Sequence, residues 1–583
     1  MNKFSLPGVY VSEQQYTLNS LQIDTRCLAA FAGICEKGPV GEPVFIESFD
    51  SYLKYFGGFD TQGVLPLSVY SYFKCGGKEC IVTRVAHKES VKNAELELKC
   101  QGGSLRLTAL TPGTWGNYLC TKLWYEYERI SCSVEDVAAD SSYIILDKEE
   151  YFEQGDIVEL NLGAGKTIYR EISVIDNRKL FFSYPIHSLH KEFARNKNII
   201  IRKVYMSMMI SSKDKKNEIF LHLSMNKNDS RYIVDYVNER SRLCRISDES
   251  AEGIARPVYS EYAKNGCDGI ADITAADFIG YYGGLNNFDG IGSFESRDDI
   301  SLVACPDLCW LLNSPGKSKE ERLNEYRAVQ DALSNQASRF PGRFAILDLP
   351  DQNDTFDTIK YACKFDSDYA ACYYPYINVI DPLDASGFKT LTVPPSGAVC
   401  GCIAMTDGER GIFHAPANCI LQGSVGLSKR ITKGEMEELY ENNINVLRYF
   451  PGSGVKIWGA KTLSSNPDWR YINVRRTFSR ICSAIRKGTQ WAVFEVNDRN
   501  LRKRLVRQVS GFLIDLWMKG YLAGGTAEES FYVRCDDELN PAENIDNGIL
   551  TFEVGIAIVR PVEFFQITIT AEKDGSSVYI NEG

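Results

Sequence analysis

Apolar and polar positions change rhythm along the chain, and each rhythm predicts a different architecture. Between residues 88 and 250 short segments alternate strictly: AELEL at 94–98, SLRLT at 104–108, DIVELNL at 156–162, TIYREI at 167–172 and KNIIIR at 197–202. A period of two puts one face of a strand in a core and the other in water, so this repetition predicts antiparallel sheets. The expected form is an antiparallel β-sandwich, with a smaller barrel-like insertion near 133–205. From 255 to 460 the rhythm becomes continuous apolar runs, ISLVA at 300–304 and FAILD at 344–348, around a helical stretch at 319–338. Runs buried on both faces and separated by a helix predict a parallel sheet of α/β type. Two helices open the last segment, 465–583. In the second, Leu501, Leu505, Val509, Phe512 and Leu516 recur on one face. Strands follow at 550–559 and 562–570, parted by Pro561.

The front of the chain is less regular. Residues 1–20 read as a polar arm with one short β-like unit, Val9-Tyr10-Val11, after Pro7-Gly8. The 21–87 segment is mixed and ends on a Gly76-Gly77 stop and a buried strand at 80–85. One stretch stands apart: 393–418 reads VPPSGAVCGCIAMTDGERGIFHAPAN. Turn signals at 394–397 and at Asp407-Gly408 bracket a run of small apolar residues. That pattern suits a tightly packed helix or a buried strand.

At 583 residues the chain exceeds one core and predicts several domains. Its net charge of −11 argues against nucleic acid or an anionic membrane as a partner of the whole molecule. No run approaches the roughly 18 apolar residues of a membrane-spanning helix. The start, MNKFSLPGVYVSE, lacks an apolar segment of signal-peptide length, which predicts synthesis and retention in the cytoplasm unless a larger particle carries the chain out. Eighteen cysteines are scattered, and the close pairs Cys305/Cys309 and Cys400/Cys402 belong to no CxxC set. They read as buried free thiols, with no metal or cofactor implied.

Enzyme signals are weak. Gly163-Ala164-Gly165-Lys166-Thr167 ends like a phosphate-binding loop, but Leu160 stands where the first glycine belongs, and strands flank both sides, so a hairpin turn is expected. A hydrolase needs a histidine base. Of His87, His187, His190, His222 and His414, only His414 lies in the α/β region, after a strand-like Gly411-Ile-Phe, and no GxSxG accompanies it. A packed histidine is the simpler reading.

Charge placement says more. Between 465 and 525 twelve basic residues face four acidic ones, a net +8 inside a chain of −11. One reading is local pairing with the acidic final segment. The other is a basic face aimed at an acidic partner, with Arg499, Arg502, Lys503 and Arg507 largely off the apolar stripe. The arm poses a related choice, since Val9-Tyr10-Val11 is too short to stand alone. It docks into its own domain or adds a strand to a neighbour's sheet.

The 393–418 string resembles the signature of contractile tail sheath proteins. So, in order, do Pro7–Val11, Gly76-Gly77 with Arg84-Val85, GTWGN at 113–117, YAACYYP at 369–375, WAVFEVND at 491–498, FYVRCD at 531–536 and Gly548 with PVEF at 561–564. Little matches between 88 and 250, which reads as an outward decoration. The resemblance implies a multidomain α+β and α/β fold with a subtilisin-like α/β domain at 255–460 and a C-terminal helix-plus-sheet domain completed by neighbours' strands. It implies a structural subunit with no catalytic residues, no metal and no cofactor. Such a subunit stacks with itself in six-fold rings around an inner tube, between baseplate and terminal cap proteins, without nucleic acid or membrane insertion. It would contract from a metastable extended state within a phage tail or phage-tail-like particle assembled in a bacterial cytoplasm. Carried onto this chain, Pro7, Gly8, Val9, Tyr10, Val11, Val562, Phe564, Gln566 and Thr568 would lie in linking strands. Arg475, Arg476, Arg499, Arg502, Lys503 and Arg507 would face the tube. A hydrolase on a related fold and another structural part of the same particle are the alternatives.

Overall fold

The computed structural model describes residues 21–563, except 60–61, 129–130, 139, 141, 149–151, 163–165, 185–188, 196–197, 214–216, 281–288 and 352–353. For 567–572 and 575–580 it describes the backbone. The central sheet has eight strands, in spatial order Pro43–Ile46, Cys80–Arg84, Ala29–Gly33, Leu302–Ala304, Phe344–Asp348, Ala370–Tyr374, Ile444–Phe450 and Gly454–Trp458. The inner six are parallel and the two edges antiparallel. Segments far apart in the chain therefore share one sheet, and residues 88 to about 255 are an excursion made between Cys80–Arg84 and Leu302–Ala304, which lie on either side of Ala29–Gly33. Ala29 and Phe31 enter the core on one face, Ala30 and Ala32 that on the other. Burial on both faces explains why these strands read as unbroken apolar runs. The 319–338 helix appears as Lys319–Arg339, opened by a capping box between Ser318 and Glu321.

The excursion is antiparallel. Glu95–Lys99, Gly102–Ala109 and Cys244–Glu252 form a three-stranded sheet whose Leu98, Leu107 and Ile246 share a core with Leu123, Met206 and Met208 of a nine-stranded sheet. Strand Ile200–Ser211 joins two halves of the larger sheet. Its start pairs with Ile157–Asn161 and its remainder with Cys120–Tyr127. Sequence alternation marked only 197–202, because VYMSMMI at 204–210 is apolar on both faces. Around Val134, Ile144, Leu160, Ile172 and Leu180 a second, smaller core fills the insertion.

The 393–418 stretch resolves into a helix, Ser396–Glu409, not a strand. It packs on the sheet beside a second helix, Leu65–Lys74, which reaches the same sheet face through Tyr72 against Phe31. A Cβ on Gly397 would fall 2.3 Å from the Ser68 carbonyl oxygen, and one on Gly401 2.4 Å from that of Tyr72. Glycines four apart thus let two backbones touch, which fixes the helices' separation. Asp407-Gly408, which reads as a turn, is instead part of the last helical turns.

The C-terminal part packs helices Ile472–Gly488 and Arg499–Met518, and all five residues of the predicted stripe are buried. The strand expected at 550–559 is shorter, Glu553–Ile556, and pairs with Phe531–Arg534. Of that expected at 562–570, residues 564–566 lie outside the described residues, and Ile567–Glu572 pairs with Gly575–Ile580.

Gly401→Ala should lower the unfolding free energy from urea titration by about 1–3 kcal/mol, the cost of overpacking. Gly408→Ala, whose added carbon meets nothing within 4 Å, should hold or raise it. Tryptophan fluorescence through the transition checks both.

Candidate interaction surface

The basic residues of 465–525 divide into two populations. Arg475, Arg476 and Arg502, expected on a partner-facing surface, are buried, and so is Arg480. Arg476 forms a two-pronged ion pair with Asp407, at 2.9 and 2.5 Å, with both side chains almost wholly out of solvent. Burial works against its charge, but the Asp407 carboxylate more than offsets this and holds the guanidinium pKa above its ordinary value. Arg475 pairs with Asp368 at 3.2 Å and stacks between Tyr369 and Trp469. Arg480 donates to the Arg26 carbonyl at 2.7 Å and to Ser301. Arg502 reaches Asp537 at 2.7 Å. Arg502 lies on the buried side of Arg499–Met518, and the Ile472–Gly488 helix is interior around most of its circumference. Its arginines meet carboxylates and carbonyls many tens to hundreds of residues away, which a local charge count does not see.

Arg499, Lys503 and Arg507 are exposed and form no ion pair among the described residues. They project from the first turns of Arg499–Met518, capped by Asp498 accepting from the Leu501 N–H at 2.7 Å. Exposed Arg504 stacks over Trp491 at 3.9 Å, and Trp491 Nε1 donates to Gln508 at 2.8 Å.

Of the expected linking residues, Pro7, Gly8, Val9, Tyr10 and Val11 lie outside the described residues, as do Phe564 and Gln566. Val562 is exposed, and Thr568 stands opposite Tyr579 in the last hairpin. Tyr440 donates its hydroxyl to Glu563, anchoring the chain where the final segment leaves the body. Sequence reasoning missed this contact, as it did the partners of Arg475, Arg476 and Arg480.

His414 follows the Ser396–Glu409 helix in a turn, not a strand. It stacks on Phe413 at 4.3 Å, and burial with nearby Arg410 lowers its pKa. Gly163, Ala164 and Gly165 lie outside the described residues. The strands beside them, Ile157–Asn161 and Thr167–Asp176, form the expected hairpin.

The other end of the Ser396–Glu409 helix is held electrostatically too. Asp348, at the end of its strand, accepts from the Ser396 N–H at 2.9 Å, while its second oxygen has no hydrogen-bond partner among the described residues. Burial pushes its pKa up to about 7, against the bond to Ser396.

With this geometry in place, comparison with known proteins is informative. The family model described as phage tail sheath protein central domain matches residues 325–463, and that described as phage tail sheath C-terminal domain matches 464–572. A putative prophage major tail sheath protein of Pseudomonas aeruginosa is 29% identical over 270 residues, 45% of this chain and 64% of that protein. The tail sheath protein of Enterobacteria phage T4 is 24% identical over 188 residues, 32% of this chain and 28% of the relative. The chain thus aligns with less than two thirds of the length of these curated relatives. Among solved structures, the anti-feeding prophage helical sheath in the contracted state matches with a TM-score of 0.51 at 20% identity, covering 98% of this chain and 100% of that one. A sheath tail protein from Listeria innocua matches with a TM-score of 0.52 at 12% identity, covering 93% and 97%. The fold described above is the fold of these chains.

Arg476→Met should cost about 3–5 kcal/mol by stranding Asp407, and adding Asp407→Leu should restore much of the loss. A double-mutant cycle on urea midpoints measures it. Asp348 keeps its proton in the folded chain up to about pH 7, whereas an ordinary aspartate loses it near 3.8. Its contribution to stability is therefore full below pH 3.8 and lost as pH rises through 7. Asp348→Asn should raise the unfolding midpoint at pH 8, with the gain shrinking towards pH 4.

Proposed function

The chain belongs to the contractile tail sheath family, and on that premise we propose that it is a structural, non-catalytic subunit that polymerises around an inner tube. In this reading it stacks as six-fold rings, meets baseplate and cap proteins at the ends, and contracts from a metastable extended state to drive the tube through a target envelope. The eight-stranded sheet is the subtilisin-like body, and the β-rich 88–250 excursion is carried on its outside. The particle is assembled in a bacterial cytoplasm.

The observation that carries this reading is the small sheet of Phe531–Arg534 and Glu553–Ile556. Apart from a single bridge between Leu522 and Ile558, it has no third strand among the described residues. Its inner face rests on the second basic helix, through Phe531, Val533, Val554 and Ile556. Two strands are marginal alone, and their outer edges offer unpaired N–H and C=O groups. Pro7–Val11 of one neighbour, and the 562–570 segment of another, supply strands of the right length. Added strands bring main-chain hydrogen bonds, so the mesh stays joined while subunits slide. The exposed cations Arg499, Lys503 and Arg507 face the tube, and such contacts weaken with salt.

Negative-stain electron microscopy of the purified chain, beside a version lacking residues 1–20, tests the reading. Hollow, helically striated cylinders are expected from the full chain and none from the truncated one. Cylinders from both would move the linkage elsewhere, and dispersed chains from both at high concentration would remove the support for self-assembly.

A further inference from the structure

Between the two basic helices the chain makes a short knuckle whose apolar residues point outward. Phe494 is completely exposed, with Val493 at 61% and Val496 at 78%. Three apolar side chains within four residues, interrupted by exposed Glu495, are unfavourable in water unless something covers them. The backbone is strained as well: φ at Phe494 is +69°, in the left-handed region that a bulky residue rarely adopts. Such strain persists only where the surroundings over-determine it.

Here they do. Val493 N–H donates to the Gln490 carbonyl at 3.1 Å, Glu495 N–H to that of Ala492 at 3.3 Å, and Asp498 N–H to that of Val496 at 2.8 Å. Trp491 is held between Gln508 and Arg504 on one flank. On the other, Asn497 donates to the Ile549 carbonyl at 3.2 Å and accepts from Arg502 Nε at 3.2 Å. The knuckle is preset, so little ordering remains when it binds.

Its setting defines the partner. Arg499 follows as the first residue of a helix, whose positive end disfavours a cation, and Lys503 stands one turn further on. With Arg507 they form no ion pair among the described residues, though Glu495 and Asp498 stand close by in sequence. A local conflict of this kind is relieved by an external anionic surface. A second copy of this chain is a poor fit. The nearest large groove, of about 1070 Å³ with Phe512 and Leu516 in its floor, is rimmed by Arg504, Arg507 and Lys519. The groove bearing Glu95, Glu97 and Glu249 already holds Arg106, bonded to Glu95 and Glu249. A membrane fits poorly too, because the helix's apolar face, Leu505, Val509 and Phe512, is turned into the protein.

We propose that Phe494, flanked by Val493 and Val496, is an apolar anchor that seats in a shallow socket on the acidic wall of the inner tube, with Arg499, Lys503 and Arg507 as its charged rim. The assignment rests on the sheath reading above. It adds a contact that salt does not screen, so attachment has a salt-resistant part carried by one side chain.

The test uses assembled sheath–tube particles. Phe494→Ser should leave cylinders intact while tube retained in pelleted sheath at 1 M salt falls about ten-fold, as for a hot-spot residue, and Phe494→Leu should recover most of it. In particles carrying p-benzoylphenylalanine at position 494, illumination should join sheath to tube subunit. Equal retention by Phe494→Ser, or a cross-link to a second sheath chain, nucleic acid or lipid, would overturn the anchor while leaving the sheath reading standing. Wild-type chain that forms neither cylinders nor tube complexes would overturn both.

Discussion

The helix Ser396–Glu409 is the member on which the remaining structure leans. Its first N–H groups are met by Asp348 of the central sheet, its glycines admit the backbone of Leu65–Lys74, and its last turns present Asp407 to Arg476. Sheet, covering helix and C-terminal part are thus positioned by one fourteen-residue element. The Arg476–Asp407 pair need not add net stability, since desolvating two charges offsets most of their attraction. What it does is specify. A buried guanidinium that has one carboxylate within reach allows one docking of the C-terminal helices on the body, and any slip strands both charges.

The same economy governs the basic segment as a whole. Four arginines that look like surface charge are consumed internally, each by a partner that the fold brings in from elsewhere. What remains for the outside is a set of exposed cations without ion pairs among the described residues (Arg470, Arg486, Lys487, Arg499, Lys503 and Arg507), a stacked Arg504 and a rigid apolar knuckle. A surface of this size favours a contact that can be made and broken repeatedly. Of its cations Arg499 sits in the first helical turn, where a positive charge is least welcome, so the isolated chain gains nothing from it there.

Much of the fold was legible in local pattern. Alternation found the antiparallel excursion, continuous apolar runs found Phe344–Asp348, and the period of Leu501 to Leu516 gave the buried stripe. Pattern failed where both faces of an element are buried. VYMSMMI lost its alternation, and the small-residue run of 396–409 could not be told from a strand. It failed again at Asp407-Gly408, because turn propensity was overridden by an ion pair formed 69 residues away in sequence. The interaction surface was half legible for the same reason. Arg499, Lys503 and Arg507 stand exposed, but Arg475, Arg476 and Arg502 have partners that no spacing rule reveals. Phe494 was visible only as one letter in a family-like string, since exposure and a positive φ are properties of the folded backbone.

These features bear together on how a sheath subunit could carry load. A parallel sheet covered on both faces and glycine-locked helices resist internal deformation, because close-packed interiors transmit strain instead of yielding. Compliance then belongs to the periphery, where the small sheet near 531–556 has open edges and the 562–563 segment is tied down by Tyr440. Strand addition at those edges is strong along the backbone yet tolerant of rotation. The knuckle and its cations, by contrast, bind through one apolar side chain and a screened rim. A ring that widens separates the second kind of contact over a few ångströms while leaving the first kind paired. Unequal strength at the two surfaces is what lets a rigid body change neighbours' spacing without unfolding. In this chain that inequality would follow from where the arginines went: four into the body to hold it together, the others left on the outside.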